Sequence, residues 1–157
     1  MQAAQDLTLA TLREDGYPQS TTVSFASDGL DIYFGCSPTS QKARNLSRDQ
    51  RVSLTINLPY ENWEQIKGLS LAGRAERLEK LCDKTLATKL LLRKFPQGIA
   101  DYASGSAGDV AFFRICPEVI SILDYGKGFG HAELVRASDL ALSNMKRPKP
   151  DVLSTCS

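Results

Sequence analysis

One segment, Gly35-Cys36-Ser37-Pro38-Thr39-Ser40-Gln41-Lys42-Ala43-Arg44-Asn45-Leu46, gathers hydroxyls, a thiol and two cations where a helix is predicted to begin. At such a start the first backbone N–H groups are free and the positive end of the helix dipole points the same way, so the place is suited to an anion. Helix starts ordinarily carry Asp or Glu. Here the only charges from Thr39 to Leu46 are Lys42 and Arg44, which the dipole alone disfavours by roughly a few tenths of a kcal/mol. A bound phosphate reverses that sign. An ordinary Ser/Thr cap followed by a solvated basic face gives the same pattern, and the segment alone leaves both readings open.

Other groups able to do chemistry are sparse. His131 is the only histidine, so no Ser/His/acid or Cys/His set is at hand, and acid–base or redox work would have to come from a cofactor. Cys36 in the cradle reads either as a thiol activated by the helix start or as a small strand-end residue. Gly126-Lys127-Gly128-Phe129-Gly130 spaces its glycines as G-x-G-x-G, puts His131 where a third fingerprint glycine belongs, and opens no clear helix. It therefore fails both dinucleotide and P-loop patterns and is expected to be a flexible connection, with Lys127 and Phe129 able to reach a pocket at a subunit boundary. Asp124 and Glu133 flank it as surface charges.

The elements that must position these residues are mostly strands. Leu7 to Leu12 alternates apolar and polar residues, and Glu14-Asp15-Gly16-Tyr17-Pro18 supplies a turn. Strands are predicted over Ser20–Ala26, Leu30–Phe34, Arg51–Asn57 and Leu69–Leu78, the last interrupted by Gly73 at a bulge or a close approach of another backbone or a ligand. Two more are expected over Val110–Cys116 and Val119–Leu123, joined around Pro117, with a Gly/Ser loop at Tyr102–Asp109 before them. Lys80 to Phe95 reads as an amphipathic helix. It sets Leu81, Leu86, Leu90 and Leu91 against a solvated basic face of Lys80, Lys84, Lys89, Arg93 and Lys94, and Pro96 and Gly98 end it. Beyond Ala132 the periodicity weakens. Together these describe a mainly β fold with helical insertions, a six- to seven-stranded antiparallel barrel or sandwich in one domain over 1–145, with 146–157 a mobile tail.

Composition narrows the function classes. The chain has 157 residues, 19 basic against 18 acidic, for a net charge of +1. No overall field gathers nucleic acid or an anionic membrane, so neither is expected as a partner. Cys36, Cys82, Cys116 and Cys156 form no C-x-x-C pair, which suits free thiols in a reducing compartment. With no apolar leader and no long apolar run, a cytoplasmic location is the expectation.

The order of Gly16-Tyr17-Pro18, Thr21-Thr22-Val23, Ile32-Tyr33-Phe34, Ser40 to Leu46 and Arg51-Val52-Ser53-Leu54 resembles the pyridoxamine 5'-phosphate oxidase-like family of FMN-binding split barrels. The likeness runs from about Leu9 through Arg77 and returns in Phe113-Arg114-Ile115 and Leu123 to His131. It implies a split barrel forming a homodimer with two FMN sites at the interface. Ser40 and Lys42 match the family's Ser-x-Lys pair on the FMN phosphate, and Gln41 stands where oxidases often have Arg. Thr21 and Ala26 occupy the places of a strand Arg and Lys, Cys36 replaces a frequent Thr, Gly68 a flavin-contacting Gln, and Leu123 a Trp near the ring. The oxidase's C-terminal Arg/His pattern is not reproduced. The resemblance thus implies flavin binding rather than pyridoxine 5'-phosphate oxidation itself. Thr21, Thr22, Ser37 and Ser40 are donors to the cofactor, and Tyr125 and Lys127 close the site over a small-molecule substrate. Deazaflavin in place of FMN, a haem module with His131 as axial ligand, and a structural dimer that lost its cofactor stay as alternatives.

Overall fold

A computed structural model describes residues 1, 3–98 and 109–140. The Gly/Ser loop expected at Tyr102–Asp109 lies almost wholly outside them, as do Cys156 and the tail expected at 146–157. Among the described residues eight strands form one antiparallel sheet: β1 Asp6–Leu12, β2 Pro18–Ser24, β3 Ala26–Asp28, β4 Asp31–Cys36, β5 Arg51–Asn57, β6 Lys67–Arg77, β7 Ala111–Asp124 and β8 Ala132–Arg136. Their order is β2-β1-β5-β6-β7-β4-β3, with β8 on the second half of β7. The sheet curls until β2 lies beside β4 without a ladder between them, which makes the barrel split. Among the described residues two α-helices are inserted between strands, α1 Gln41–Arg48 and α2 Leu81–Lys94, and residues 137–140 after β8 are helical as well.

The core follows from strand alternation. Leu7 and Leu9 on β1, Val52, Leu54 and Ile56 on β5, Leu71 and Ala75 on β6 all point inward. Phe34 and Phe113 face each other across the β4–β7 ladder with ring centroids 5.2 Å apart and planes 11° from parallel. The opposite face of the sheet carries small residues in cross-strand rows. One runs Thr22, Thr8, Thr55, Ser70, Ser121 and ends on Leu134; the next runs Ser20, Ala10, Ser53, Ala72, Val119.

Several elements differ from their sequence pattern for local reasons. The strand expected over Ser20–Ala26 is broken at Phe25, which is fully buried between β2 and a second short strand that starts at Ala26. Around Pro117 the chain does not turn. It runs on as one strand, and Pro117 sits at a bulge where the register with β6 shifts between Ala72 and Gly73. Gly73 is at that bulge and also at a close approach, because a Cβ there would collide with the Cys116 carbonyl oxygen. β8 lies where the periodicity weakens, since most of its residues are exposed and only Val135 is half-buried.

The long helix is less amphipathic than its leucines indicate. Leu81 is 80% exposed and only Ala87 is fully buried; with Leu90 and Leu91 it packs on Tyr33, Leu78 and Phe112, outside the barrel. Lys94 leaves the solvated basic face. Its Nζ donates to the Ala4 carbonyl at 2.6 Å and sits 3.8 Å from the Phe25 ring centroid, and burial lowers its pKa against an opposing pull from Asp6.

Candidate functional site

β4 delivers Cys36 to the start of α1, and Ser40 is the N-cap: its Oγ accepts from the Ala43 N–H at 3.3 Å. The approach is tied down by the Ser40 N–H to the Ser37 carbonyl at 3.0 Å and by the Ser37 and Thr39 hydroxyls at 2.9 Å. The Ser40 hydroxyl lies 3.5 Å from the Cys36 sulfur, which makes that thiol an acceptor at the helix start. Among the described residues the backbone N–H groups of Gln41 and Lys42 have no acceptor. No acidic residue stands in the first turn.

The two cations behave differently. Arg44 is spent inside the chain, its guanidinium donating to the Thr39 carbonyl at 2.6 Å and to Gln41 Oε1 at 2.8 Å. Half-buried Lys42 has no hydrogen-bond or ion-pair partner among the described residues. Gln41 is also committed at both ends, since its Nε2 donates to Asn45 Oδ1 at 2.9 Å. Asn45, 1% exposed, continues the network, donating to Thr11 Oγ1 at 2.9 Å and to Gln19 Oε1 at 3.1 Å. This buried asparagine locks α1 onto the β1–β2 hairpin. Its sequence signal was weak: a poor helix former in the middle of a short helix, at the end of the motif.

Register puts Thr21 opposite Leu9 and Gln19 opposite Thr11, so Thr21 and Gln19 share the inward face. Thr21 Oγ1 is buried and has no hydrogen-bond partner. Thr22 points the other way and is exposed on the small-residue face. The two threonines named for the same site therefore serve opposite faces of β2.

Tyr125 and Lys127 are not near the cradle of their own chain. Cys36 pairs with Ala111 at one end of β7, and Tyr125 follows Asp124 at the other. At ~3.3 Å per residue the strand between them runs about 40 Å. The glycine segment is not loose: Asp124 caps the Gly126 N–H at 3.1 Å in a 3-10 turn over Tyr125–Lys127. Glu133 Oε1 then receives Lys127 Nζ at 2.6 Å and His131 Nε2 at 3.1 Å, which raises the lysine pKa and lowers that of the glutamate. Beside it, exposed Trp63 and Phe129 stack with centroids 5.6 Å apart and planes at 15°, and Tyr125 meets Phe129 at 5.4 Å. They border a cavity of about 490 Å³ with Glu64, Gly126 and Gly128. Sequence reading missed Trp63, although an aromatic beside Tyr60 in a polar loop was its signal. Concavity alone does not single out the cradle, since an open groove of about 770 Å³ lies elsewhere, between α2 and Phe112.

No His/Cys/Asp/Glu cluster able to hold a metal occurs among the described residues, and no helix there is long and apolar enough to cross a membrane. Cys36, Cys82 and Cys116 are free thiols.

The fold recurs in solved structures. A heme binding protein from Mycobacterium smegmatis superposes with a TM-score of 0.73 at 22% identity over 89% of this chain, which spans 56% of that protein's length. The heme storage protein HutZ from Vibrio cholerae gives 0.59 at 22% identity, covering 74% of this chain and 84% of its own. A protein from Clostridium acetobutylicum related to general stress protein 26, of the pyridoxinephosphate oxidase family, gives 0.63 at 16% identity over 87% and 89% of the two chains. These likenesses establish the split-barrel fold. No curated protein matches the sequence. The family model described as pyridoxamine 5'-phosphate oxidase matches residues 2–124, from before β1 to the end of β7, and the chain therefore belongs to the pyridoxamine 5'-phosphate oxidase family.

Proposed function

We propose that this chain binds FMN as a homodimer and acts as a flavin-dependent oxidoreductase on a small-molecule substrate. The observation that carries the reading is the start of α1, where two free N–H groups, the Ser40 hydroxyl and an unpartnered Lys42 lie within one turn that carries no acid. A phosphate group satisfies all of these at once. The orphaned Thr21 Oγ1, on the inward face two positions from Gln19, is a further donor for the cofactor. Ser37 and Cys36 shape the cradle through their bonds to Thr39 and Ser40, and Gln41 holds Arg44 back rather than reaching for the ligand. Bound flavin supplies the electron transfer; the residues of the chain bind and orient it. Because Tyr125 and Lys127 lie at the far end of β7, they contribute to a cradle only if it belongs to a second copy.

Titration of the apo-protein with FMN beside Lys42→Ala tests the phosphate assignment. Loss of one charge-assisted contact is expected to weaken binding by about 1.5–3 kcal/mol, on the order of 10- to 150-fold. Unchanged affinity rejects the assignment. A deazaflavin competing in the same titration decides which ring the site prefers.

Haem is the second reading, favoured by two observations: His131 is held by Glu133, as carboxylates hold ligating imidazoles, and two proteins of this fold are described as binding or storing haem. A Soret band that disappears in His131→Ala supports it, and a protein that takes up no haem ends it.

A further inference from the structure

We infer that the groove between α2 and the start of β7 binds a small amphiphilic anion, a carboxylate on a long apolar tail, with Lys89 and Arg93 at its head. The groove holds about 770 Å³, within the range of small-molecule sites, and none of the cradle's donors lines it. Its floor is Val110 and Phe112, which close over Gly35: a Cβ on that glycine would meet Val110 Cγ1 at 2.9 Å and the Phe112 ring at 3.3 Å. One wall is a stripe of α2 that the barrel leaves unused. Leu90 and Leu91 pack with Ala87 on Tyr33, Leu78 and Phe112, whereas Leu81 and Leu92 line the groove. Those two are eleven residues apart, three turns along one face of the helix, which makes an apolar track about 16 Å long.

The charges along that track select the head group. Lys84, Lys89 and Arg93 border the groove, and no acid among the described residues lines it. Lys84 has Glu79 at 3.9 Å, but Lys89 and Arg93 have no hydrogen-bond or ion-pair partner among the described residues. They stand four residues apart on the helix, where like charges repel and cost stability. The helix dipole favours the cations of the last turn, Arg93 and Lys94, and does not account for an unpaired Lys89 one turn earlier above an apolar floor. A carboxylate between Lys89 and Arg93 turns the repulsion into two charge-assisted contacts. A tail along Leu92 and Leu81 then covers apolar surface, Leu81 being 80% exposed. Nucleic acid or an acidic peptide would match the cations and leave the Phe112 floor unused.

Calorimetric titration of the full chain with dodecanoate, kept below its micelle concentration, tests the assignment. Dodecanoate is expected to bind at one site per chain. Butyrate, with the same head and no tail, and dodecyltrimethylammonium, with the same tail and the opposite head, should each bind at least about tenfold more weakly. Lys89→Glu and Leu81→Ser are expected to weaken dodecanoate by a similar factor and to leave the FMN titration unchanged. Both positions are exposed on α2, and Lys89→Glu sets a glutamate four residues before Arg93, so its urea midpoint should hold or rise; if it falls, Lys89→Gln takes its place. Equal binding of either comparator, or unchanged dodecanoate affinity in the lysine or leucine variant, overturns the inference. No binding of dodecanoate overturns it as well, and self-association in sedimentation that Leu81→Ser abolishes would then assign the groove to a second copy.

Discussion

Replacing Asn45 by alanine removes the buried polar side chain that hydrogen-bonds the cradle helix to the β1–β2 hairpin. Three hydrogen bonds go: two donated to Thr11 and Gln19, and one accepted from Gln41. At ~1 kcal/mol net each, with the hydroxyl of Thr11 left buried and only 3% exposed, the loss is about 3 kcal/mol. For a chain of this size that corresponds to a fall in Tm of roughly 6–12 °C. Urea unfolding is the assay, and the midpoint should fall with the slope unchanged, because the surface exposed on unfolding is the same. Asn45→Asp keeps the acceptor for Gln41 but loses both donors and buries a carboxylate, so it is expected to be at least as damaging. FMN affinity should fall in both variants, since both lose the bonds from Asn45 to Thr11 and Gln19 that anchor the first turn. A loss of stability below about 1 kcal/mol for Asn45→Ala would refute the reasoning, because it would mean that the network does not lock α1.

Two further outcomes follow from single side chains. Thr21→Val removes a buried hydroxyl that has no partner, so the apo-protein should gain about 1 kcal/mol by urea unfolding while FMN binds more weakly by calorimetry; a loss on the first count or a gain on the second contradicts the role given to this residue. Lys94 is expected to make stability rise with pH. Burial lowers its folded pKa below the ordinary 10.5, so between that lowered value and 10.5 the unfolded state binds more protons. Subtracting the unfolding free energy of Lys94→Met from that of the parent should therefore give a difference that increases from neutral pH toward 10.5, and a flat or falling difference refutes it.

Legibility in the sequence tracked how local the physics was. The strict alternation of Val52, Leu54 and Ile56 gave β5 its observed bounds, and the run of hydroxyls from Ser37 to Ser40 marked a helix start in the segment where α1 begins. What was hidden depended on partners distant in sequence. Pro117 reads as a break, yet the β6 bulge and the exchange of β4 for β8 along β7 let the strand continue through it. Lys94 reads as one more cation on a solvated face, and only the fold brings Phe25 and Ala4 to it. The glycine segment reads as slack because its restraint, Glu133, follows it on a strand with little periodicity of its own.

The candidate site differs from its sequence reading in how its residues are partnered. Lys42 and Arg44 look equivalent as cations near a helix start, but helical geometry separates them. Arg44 reaches back to the Thr39 carbonyl and the Gln41 amide, whereas Lys42 has no such acceptor. One positive side chain therefore remains for a phosphate, joined by neutral donors from the backbone, Ser40 and, on the adjoining strand, Thr21. The Arg and Lys that the resemblance expects at the places of Thr21 and Ala26 would have stood on β2 and β3, where this chain has a buried hydroxyl and a buried methyl group. On the proposed FMN reading, anion recognition at α1 rests on the helix start more than on charge, which fits a first turn with no acid in it and the buried Asn45 network that holds that turn in place.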